Sequence, residues 1–496
     1  MICNFFNLIR IFHIISKKQI LTNTDDVTIP VYLKFIGYTL ALFFAPLTLF
    51  RKSKEDYGKR LIDTLSSLGP IYIKFGQTLS TRPDLVGIQI ADYLRLLQDK
   101  LPPFDSNVAR GMVERAFLCH PRENGDPEKK LLDSRLRGND IGGSRNNMEG
   151  SGMTTIFSHF NDTPIAAASI SQVYKAQLTT GDYVAVKILR PDIHKKYNRD
   201  IRLLYFLAKI ASKFSKAKRL KPLKVVEKFH ETMKFELDLR LEAAAASELA
   251  NNMRKDHNVI IPKIYWDLTS ENILTTQWLD GTSIYDTLLL KEMDLEPVKI
   301  AQNFAVMFFN QAYRDGFFHA DLHPGNILVD KQGRLILLDF GIMGRLKEKD
   351  RLAIAESLFG FLSRDYKLVA KVHLRAGYVP INTDLDLFAQ SCRAVTEPVV
   401  GTPTKNISVG KLLAHLFKIT EDFGMEVQPD LLLLQKTLIM VEGIGRQLDE
   451  NVNMWQLAEP WIKKWAIKNL SPEAKILRLV KHYLNDLLDG IEAKNF

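Results

Sequence analysis

Cysteine is scarce. The chain carries three in 496 residues (Cys3, Cys119 and Cys392), too few and too scattered for a disulfide framework or a cysteine-based metal cluster. A reducing compartment follows. There is no zinc-ligand spacing and no RNP-like aromatic motif, so the formal net charge of +10 does not read as a nucleic-acid footprint. Basic excess then serves anionic lipid or solubility. Long apolar runs are missing as well. Residues 35–50, FIGYTLALFFAPLTLF, are uncharged but shorter than the about 20 residues a spanning helix needs, and Pro46 interrupts them. The first fifteen residues are apolar and aromatic with one arginine. They lack the lysine-led start and small-residue cleavage site of a signal peptide. Both segments read as interfacial anchoring helices rather than a true span, the alternative being helices buried against the rest of the chain.

What is present suits a globular protein with a sizeable core: 46% hydrophobic and 25% charged residues. Residues 54–118 show helical spacing of apolar side chains until LPPFD, Leu101 to Asp105, breaks the pattern. Residues 119–152 form a polar, Gly- and Asn-rich insert with few large apolar side chains, a disorder-prone composition to which no chemistry is assigned. Alternating strands follow in SQVYKAQL and YVAVKIL around the turn TTGD. Residues 196–250 read as helical, then strands near VIIPKIYW and ILTTQWLDG, a long helix over about 296–315, and helices through 347–490.

The chemistry concentrates in HADLHPGNILV. His319, Asp321 and Asn326 follow the order H-x-D-x-x-x-x-N, which puts a hydroxyl-orienting carboxylate and a magnesium-binding amide on one rigid loop. LLDFG then places Asp339 after a strand, where phosphoryl transfer needs a second metal-binding carboxylate. VAVK supplies Lys187 on a strand, positioned for the α/β-phosphates. Together these imply ATP and Mg²⁺. The implied fold is α+β: a bilobal protein-kinase-like fold with a small β-rich N-lobe and a helical C-lobe, preceded by a helical N-terminal extension. Gln277 and Trp278, at the end of the second of the later strands, fall where such a fold has its hinge and would border the adenine.

Three features separate the chain from an ordinary protein kinase. The stretch TPIAAASISQVYKA, residues 163–176, occupies the phosphate-facing loop without a glycine until Gly181. Ala320 stands where H-R-D has arginine. Between Gly341 and Ser357 there is no Ser, Thr or Tyr, and no A-P-E follows, so no phosphorylatable activation segment or peptide platform is visible. The carboxylate partner of Lys187 lies in KFELDLRLEAAAASEL, which offers Glu236, Asp238, Glu242 and Glu248. On a continuous helix Glu236 and Asp238 would point about 200° apart, so one acid reaches the lysine and another faces elsewhere.

PIYIKFGQTLSTRPDL, AAASISQVY, VAVKILRP, ELDLRLEAA, HADLHPGNIL, LLDFG and LLLLQKTLIMVEGIGRQL together resemble the UbiB family of atypical kinase-like ATPases, which support ubiquinone biosynthesis. The resemblance covers about residues 50–470 outside the insert. It implies that K-x-G-Q falls on Lys74, Gly76 and Gln77, in an extension folded over the active site where a protein substrate would enter. It further implies that Glu236 meets Lys74, that Glu242 is the partner of Lys187, and that Ala166, Ala167, Ala168 and Ser169 form an alanine-rich nucleotide loop. The domain order is then a membrane-associating segment over 1–53, the K-x-G-Q extension over 54–118, and the insert over 119–152. A kinase-like N-lobe over 153–281, a C-lobe over 282–470 and an amphipathic tail over 471–496 complete it.

Many bacterial members end in two transmembrane helices, whereas SPEAKILRLVKHYLNDLLDGIEAKNF is charged and amphipathic. Attachment to the cytoplasmic face of the bacterial inner membrane would rest on residues 1–50 and on the basic stretch KIASKFSKAKRLKPLK. The expected partners are ATP, anionic lipids or quinone-like precursors, and other enzymes of ubiquinone biosynthesis, with no nucleic acid. The expected function is a membrane-surface kinase or ATPase that is required for or regulates that pathway. Its alternatives are a nucleotide-gated lipid-binding scaffold and a small-molecule phosphotransferase.

Overall fold

In a computed structural model the described residues are 2–23, 31–45, 53, 55–80, 86–97, 101–118, 156–213, 221–400, 419, 423–424, 429–450 and 454–470. The insert, the C-terminal tail, residues 46–50 of the apolar run and residues 214–220 of the basic stretch lie outside them. Contacts divide the chain into two compact units, Met1–Ala243 with Ile264–Trp278, and Ala244–Lys263 with Leu279–Phe496.

The first unit opens with helices α1 (Ile2–Lys17), α2 (Val31–Phe44), α3 (Tyr57–Leu68), α4 (Pro70–Ser80), α5 (Ile88–Arg95) and α6 (Ser106–Leu118). The Asp56 side chain caps α3 by accepting from the Lys59 N–H. Gly69, at φ +115°, ends it, and Pro70 starts α4 where its missing N–H costs nothing. Arg60 ties the N-terminus down. Its buried guanidinium donates to the carbonyls of Lys18, Gln19, Asn23 and Glu55 at 2.7–3.1 Å. This satisfies carbonyls left open past the end of α1. Helix α2 buries Ala41 but leaves Tyr38, Leu42 and Phe43 exposed, Phe43 at 76%. Among the described residues no helix is long and apolar enough to cross a membrane.

An antiparallel sheet follows: β1 (Phe157–Phe160), β2 (Ala166–Ala167), β3 (Ser171–Leu178) and β4 (Tyr183–Leu189). The alternation read from sequence is the cause. Tyr174, Ala176, Val184, Val186 and Ile188 point to one buried cluster, and residues of odd number in β4 point to the other face. Gly181, at φ +94°, makes the β3–β4 turn. Helices α7 (Ile193–Ala211), α8 (Pro222–Glu236) and α9 (Leu239–Asn252) come next. Tyr197, Ile201, Phe229 and Met233 of α7 and α8 share a core with Ile71 and Tyr72 of α4.

The helical stretch expected over 196–250 is interrupted. The backbone breaks at Leu237 and Asp238, whose carboxylate accepts from the backbone N–H of Arg240 and from both ends of its guanidinium. Aspartate competes with helix by such local bonds. The 200° relation between Glu236 and Asp238 therefore does not apply.

Strands β5 (Val259–Ile260), β6 (Ile273–Gln277) and β7 (Thr282–Ser283) follow, β6 completing the first sheet in the order β1–β3–β4–β6 with β2 on β3. The VIIPKIYW strand is thus shorter than expected. In the second unit come α10 (Thr287–Glu292), α11 (Pro297–Phe309), β8 (Phe317–His319), β9 (Ile327–Val329), β10 (Leu335–Leu337) and β11 (Met343–Arg345). The expected long helix changes at Asn310–Asp315 to a π turn, which Gly316 closes at φ +71°. β5, β10, β9 and β7 form one sheet, and β8 pairs with β11. Helices α12 (Glu348–Leu362), α13 (Tyr366–Ala376), α14 (Leu385–Val400), α15 (Pro429–Leu448) and α16 (Met454–Leu470) finish the unit. Phe304, Phe308 and Phe318 are buried among them.

Candidate active site

In the first unit Lys187 leaves β4 on the face opposite Val184, Val186 and Ile188. β6 pairs with β4, Leu274 opposite Lys187, and the carbonyl of Glu271 just before β6 accepts from the Leu239 N–H at 3.0 Å. That bond fixes the start of α9, whose first turn carries Glu242. Lys187 Nζ then lies 2.8 and 2.9 Å from the two Glu242 carboxylate oxygens, with side-chain exposures of 18% and 8%. Such a buried, doubly bonded pair orients an ammonium group; removing one partner strands the other.

The alanine stretch is held rather than loose. Ala166 and Ala167 pair with Val173 and Gln172 in β3, and the Ala168 N–H donates to Ser171 O at 2.8 Å. Arg190, to which the sequence assigned no role, donates from Nε and Nη2 to Ala168 O at 3.1 and 2.8 Å, and from Nη2 to Leu101 O at 3.4 Å. Buried Gln172 joins the same neighbourhood by bonding both the N–H and the carbonyl of Phe104. LPPFD is thereby pinned beside the alanine loop. Ser169 is fully buried and its Oγ has no hydrogen-bond partner. Gln277 pairs with Val184 at the end of β6, and the Trp278 N–H donates to Tyr183 O. The Lys175 ammonium lies 4.3 Å from the centre of a Trp278 ring.

Lys74 and Glu236 meet in this unit as well: Nζ is 3.2 Å from Oε2, both side chains mostly buried. Gly76 lies in close packing, since a Cβ there would meet Leu97 Cδ1 at 2.5 Å and Leu65 Cδ1 at 2.8 Å. The Gln77 amide donates to Leu97 O. Asp238 bonds Arg240.

In the second unit His319 organises the loop His319–Asn326. Its backbone N–H donates to buried Gln311 Oε1, its Nε2–H to Leu338 O at 3.0 Å, and its Nδ1 accepts from the Asp321 N–H at 3.2 Å. Burial pushes the imidazole pKa down, so the ring stays neutral, in the tautomer that these bonds require. Asn326 Nδ2 donates to Asp321 O at 3.0 Å, and Asn326 O accepts from the Leu338 N–H at 2.9 Å. The β9–β10 register, Ile327 opposite Leu337, thus carries Asn326 next to the Leu338–Asp339 step. Asp339 adopts φ +57°, unusual for a residue other than glycine, and its Oδ1 accepts from the Gly341 N–H at 3.3 Å. Glu248, the remaining acid of the helix, pairs with Arg345.

The donor set fits magnesium. Asn326 spends its amide nitrogen on Asp321, which leaves Oδ1 as a neutral oxygen donor, and Asp339 adds a carboxylate. Among the described residues no three His, Cys, Asp or Glu side chains gather to hold a metal ion. A hard cation such as magnesium takes one or two protein oxygens together with phosphates and water. Sequence reading missed Lys436 of α15, whose Nζ is 4.0 Å from Asp321 Oδ1, and His323, whose Nε2 is 3.8 Å from Oδ2. His323 was visible within HADLHPGN; Lys436 had no local signal.

Residues 139–373 match the ABC1 atypical kinase-like domain, and residues 392–453 match the UbiB helical domain. The α+β kinase-like class expected from the sequence is thus the one found. A protein of Marinobacter nauticus named probable protein kinase UbiB is 39% identical over 450 residues, which cover 89% of this chain and 76% of that one. One of the same name from Pseudomonas fluorescens is 37% identical over 473 residues, covering 94% and 82%. A solved structure, the complex of Rv3197 with erythromycin from Mycobacterium tuberculosis, aligns with a TM-score of 0.46 at 22% identity over 71% of this chain and 90% of that one. The chain belongs to the UbiB family of atypical kinase-like proteins.

Proposed function

We propose that this protein is an ATP- and magnesium-dependent atypical kinase-like ATPase that acts at the membrane surface in ubiquinone biosynthesis. The observation that carries the reading is the buried Lys187–Glu242 pair, because a phosphate-binding lysine needs a carboxylate to aim it. Lys187 holds the α/β-phosphates, and Gln277 and Trp278 border the adenine. The restrained loop of Ala166, Ala167, Ala168 and Ser169 covers the nucleotide with a narrower range of backbone shapes than glycine would allow. Asn326 and Asp339 would hold magnesium, which when bound would supply positive charge to the phosphates. Asp321 receives the proton of the attacking hydroxyl or water. Lys74 and Glu236 hold the K-x-G-Q extension in place. Membership of the UbiB family supports the pathway, and the exposed Tyr38, Leu42 and Phe43 of α2 support contact with lipid.

The test is ATP turnover by the purified protein on anionic lipid vesicles, with and without magnesium, against Asp339→Asn. Turnover no higher than in that variant would reject the reading. In cells, a strain lacking the protein should recover ubiquinone with the wild-type chain and not with Asp339→Asn.

A further inference from the structure

Phosphoryl transfer places negative charge on the equatorial oxygens of the moving group, and cations fixed beforehand at that position lower the barrier. The loop His319–Asn326 reads HADLHPGN and contains neither lysine nor arginine. Its first histidine is buried with both ring nitrogens committed, and Ala320 is fully buried. His323 uses Nδ1 to accept from the Gly325 N–H, which leaves Nε2–H directed at Asp321 Oδ2 from 3.8 Å. The other oxygen, Oδ1, faces Lys436 Nζ at 4.0 Å.

Lys436 comes from outside the loop. Helix α15 is anchored by buried Leu434, Leu438 and Val441, and it packs against α11 and β11. Lys436 stands off that buried stripe with its side chain 45% exposed, and Asp321 is 30% exposed. Neither neighbour makes a hydrogen bond to the Asp321 carboxylate, in contrast to the 2.8 Å contact of Lys187 with Glu242. A direct salt bridge would spend the carboxylate's basicity. A lysine one step further out makes no hydrogen bond to the carboxylate, while its charge stays within reach of the reacting group.

We propose that Lys436 is a catalytic residue of this site, supplying from the helical region the positive charge that the loop lacks and placing it against the transferring phosphoryl group. The inference rests on the ATPase reading above. In the step it serves, the oxygen of water or of an acceptor hydroxyl bonds to the γ-phosphorus as the bond to the β–γ bridging oxygen breaks. That electron pair leaves on ADP, and the acceptor's proton passes to Asp321.

The experiment compares the wild-type protein, Lys436→Met, Lys436→Gln, Lys436→Arg and Asp339→Asn, measuring magnesium-dependent ATP turnover on vesicles, the KM for ATP, and thermal unfolding. The expected result is a kcat about a hundredfold lower in Lys436→Met and Lys436→Gln. KM should stay within about threefold and unfolding temperatures unchanged, and arginine should restore most of the loss because it keeps the charge. If both neutral variants turn over ATP within twofold of wild type while Asp339→Asn is dead, Lys436 has no catalytic part and the ATPase reading stands. A loss that arginine does not restore, or that comes with an equal loss of thermal stability, assigns Lys436 to structure and overturns the proposal. Wild-type turnover no higher than in Asp339→Asn removes the ATPase reading and this proposal with it.

Discussion

In one unit Lys187 meets both oxygens of Glu242 at 2.8 and 2.9 Å, largely shut off from water; in the other, Asp321 keeps the His323 ring and the Lys436 ammonium at 3.8 and 4.0 Å. On the proposed function the two carboxylates would do opposite work. Glu242 has to aim an ammonium group, so it is buried, paired and fixed through the first turn of α9. Asp321, the proposed proton acceptor, has the backbone around it held by His319 and Asn326 while its own oxygens accept no hydrogen bond. Stability in the first case and reactivity in the second follow from this difference, and it can be probed by asking what each group contributes to folding.

The largest expected effect on folding is Glu242→Gln. It removes the carboxylate charge from a buried, hydrogen-bonded pair, which costs about 3–5 kcal/mol. Thermal unfolding should show the loss, and ATP turnover should fall with it. A variant as stable as wild type would mean that the pair is not closed in solution.

Next comes acid. Burial holds the His373 imidazole down to about 4, its Nδ1–H bonded to Val369 O. His319 is shifted in the same direction, also by burial. The folded form resists protonation more than the unfolded chain does. Stability is therefore fully present above about 6.5, and it is lost as the pH falls from there toward about 4. His373 accounts for about 3 kcal/mol of that loss. Denaturant unfolding at a series of pH values should show the slope, and His373→Gln should flatten it. An unchanged slope would place the acid sensitivity elsewhere.

Arg190→Lys should cost about 1–2 kcal/mol. A lysine point charge does not reproduce the fork that joins Ala168 O to Leu101 O. Nucleotide affinity, read by titration calorimetry, should weaken as the alanine loop loosens; unchanged affinity would show that the loop shape is set by the β2–β3 pairing alone.

The legible parts of this molecule were local. SQVYKAQL and YVAVKIL became β3 and β4 with the expected ends, because alternation writes one buried face into the sequence. Asp321, Asn326 and Asp339 were readable because they lie along one short segment whose hairpin register brings them together. The break at Leu237–Asp238 was hidden by the alanine-rich run after it, whose helix propensity masked the local bonds of Asp238. Arg60, Arg190 and Lys436 carried no local signal, since their partners are backbone carbonyls or a carboxylate distant in sequence. No spacing rule covers such contacts.

The smallest expected effect on folding is Asp321→Asn, and it is the one that tests the comparison most directly. The carboxylate is partly exposed and accepts no hydrogen bond, and the Lys436 ammonium sits where screening leaves little net attraction. The amide keeps the size of the side chain, and the backbone bonds to His319 and Asn326 do not involve the atoms that change. Unfolding free energy should stay within about 0.5 kcal/mol of wild type. ATP turnover should drop by about two to four orders of magnitude, the usual cost of losing a positioned base. Equal losses of stability in Asp321→Asn and Glu242→Gln would erase the distinction between a carboxylate that holds and one that reacts. A stable, inactive Asp321→Asn beside an unstable, inactive Glu242→Gln would establish it.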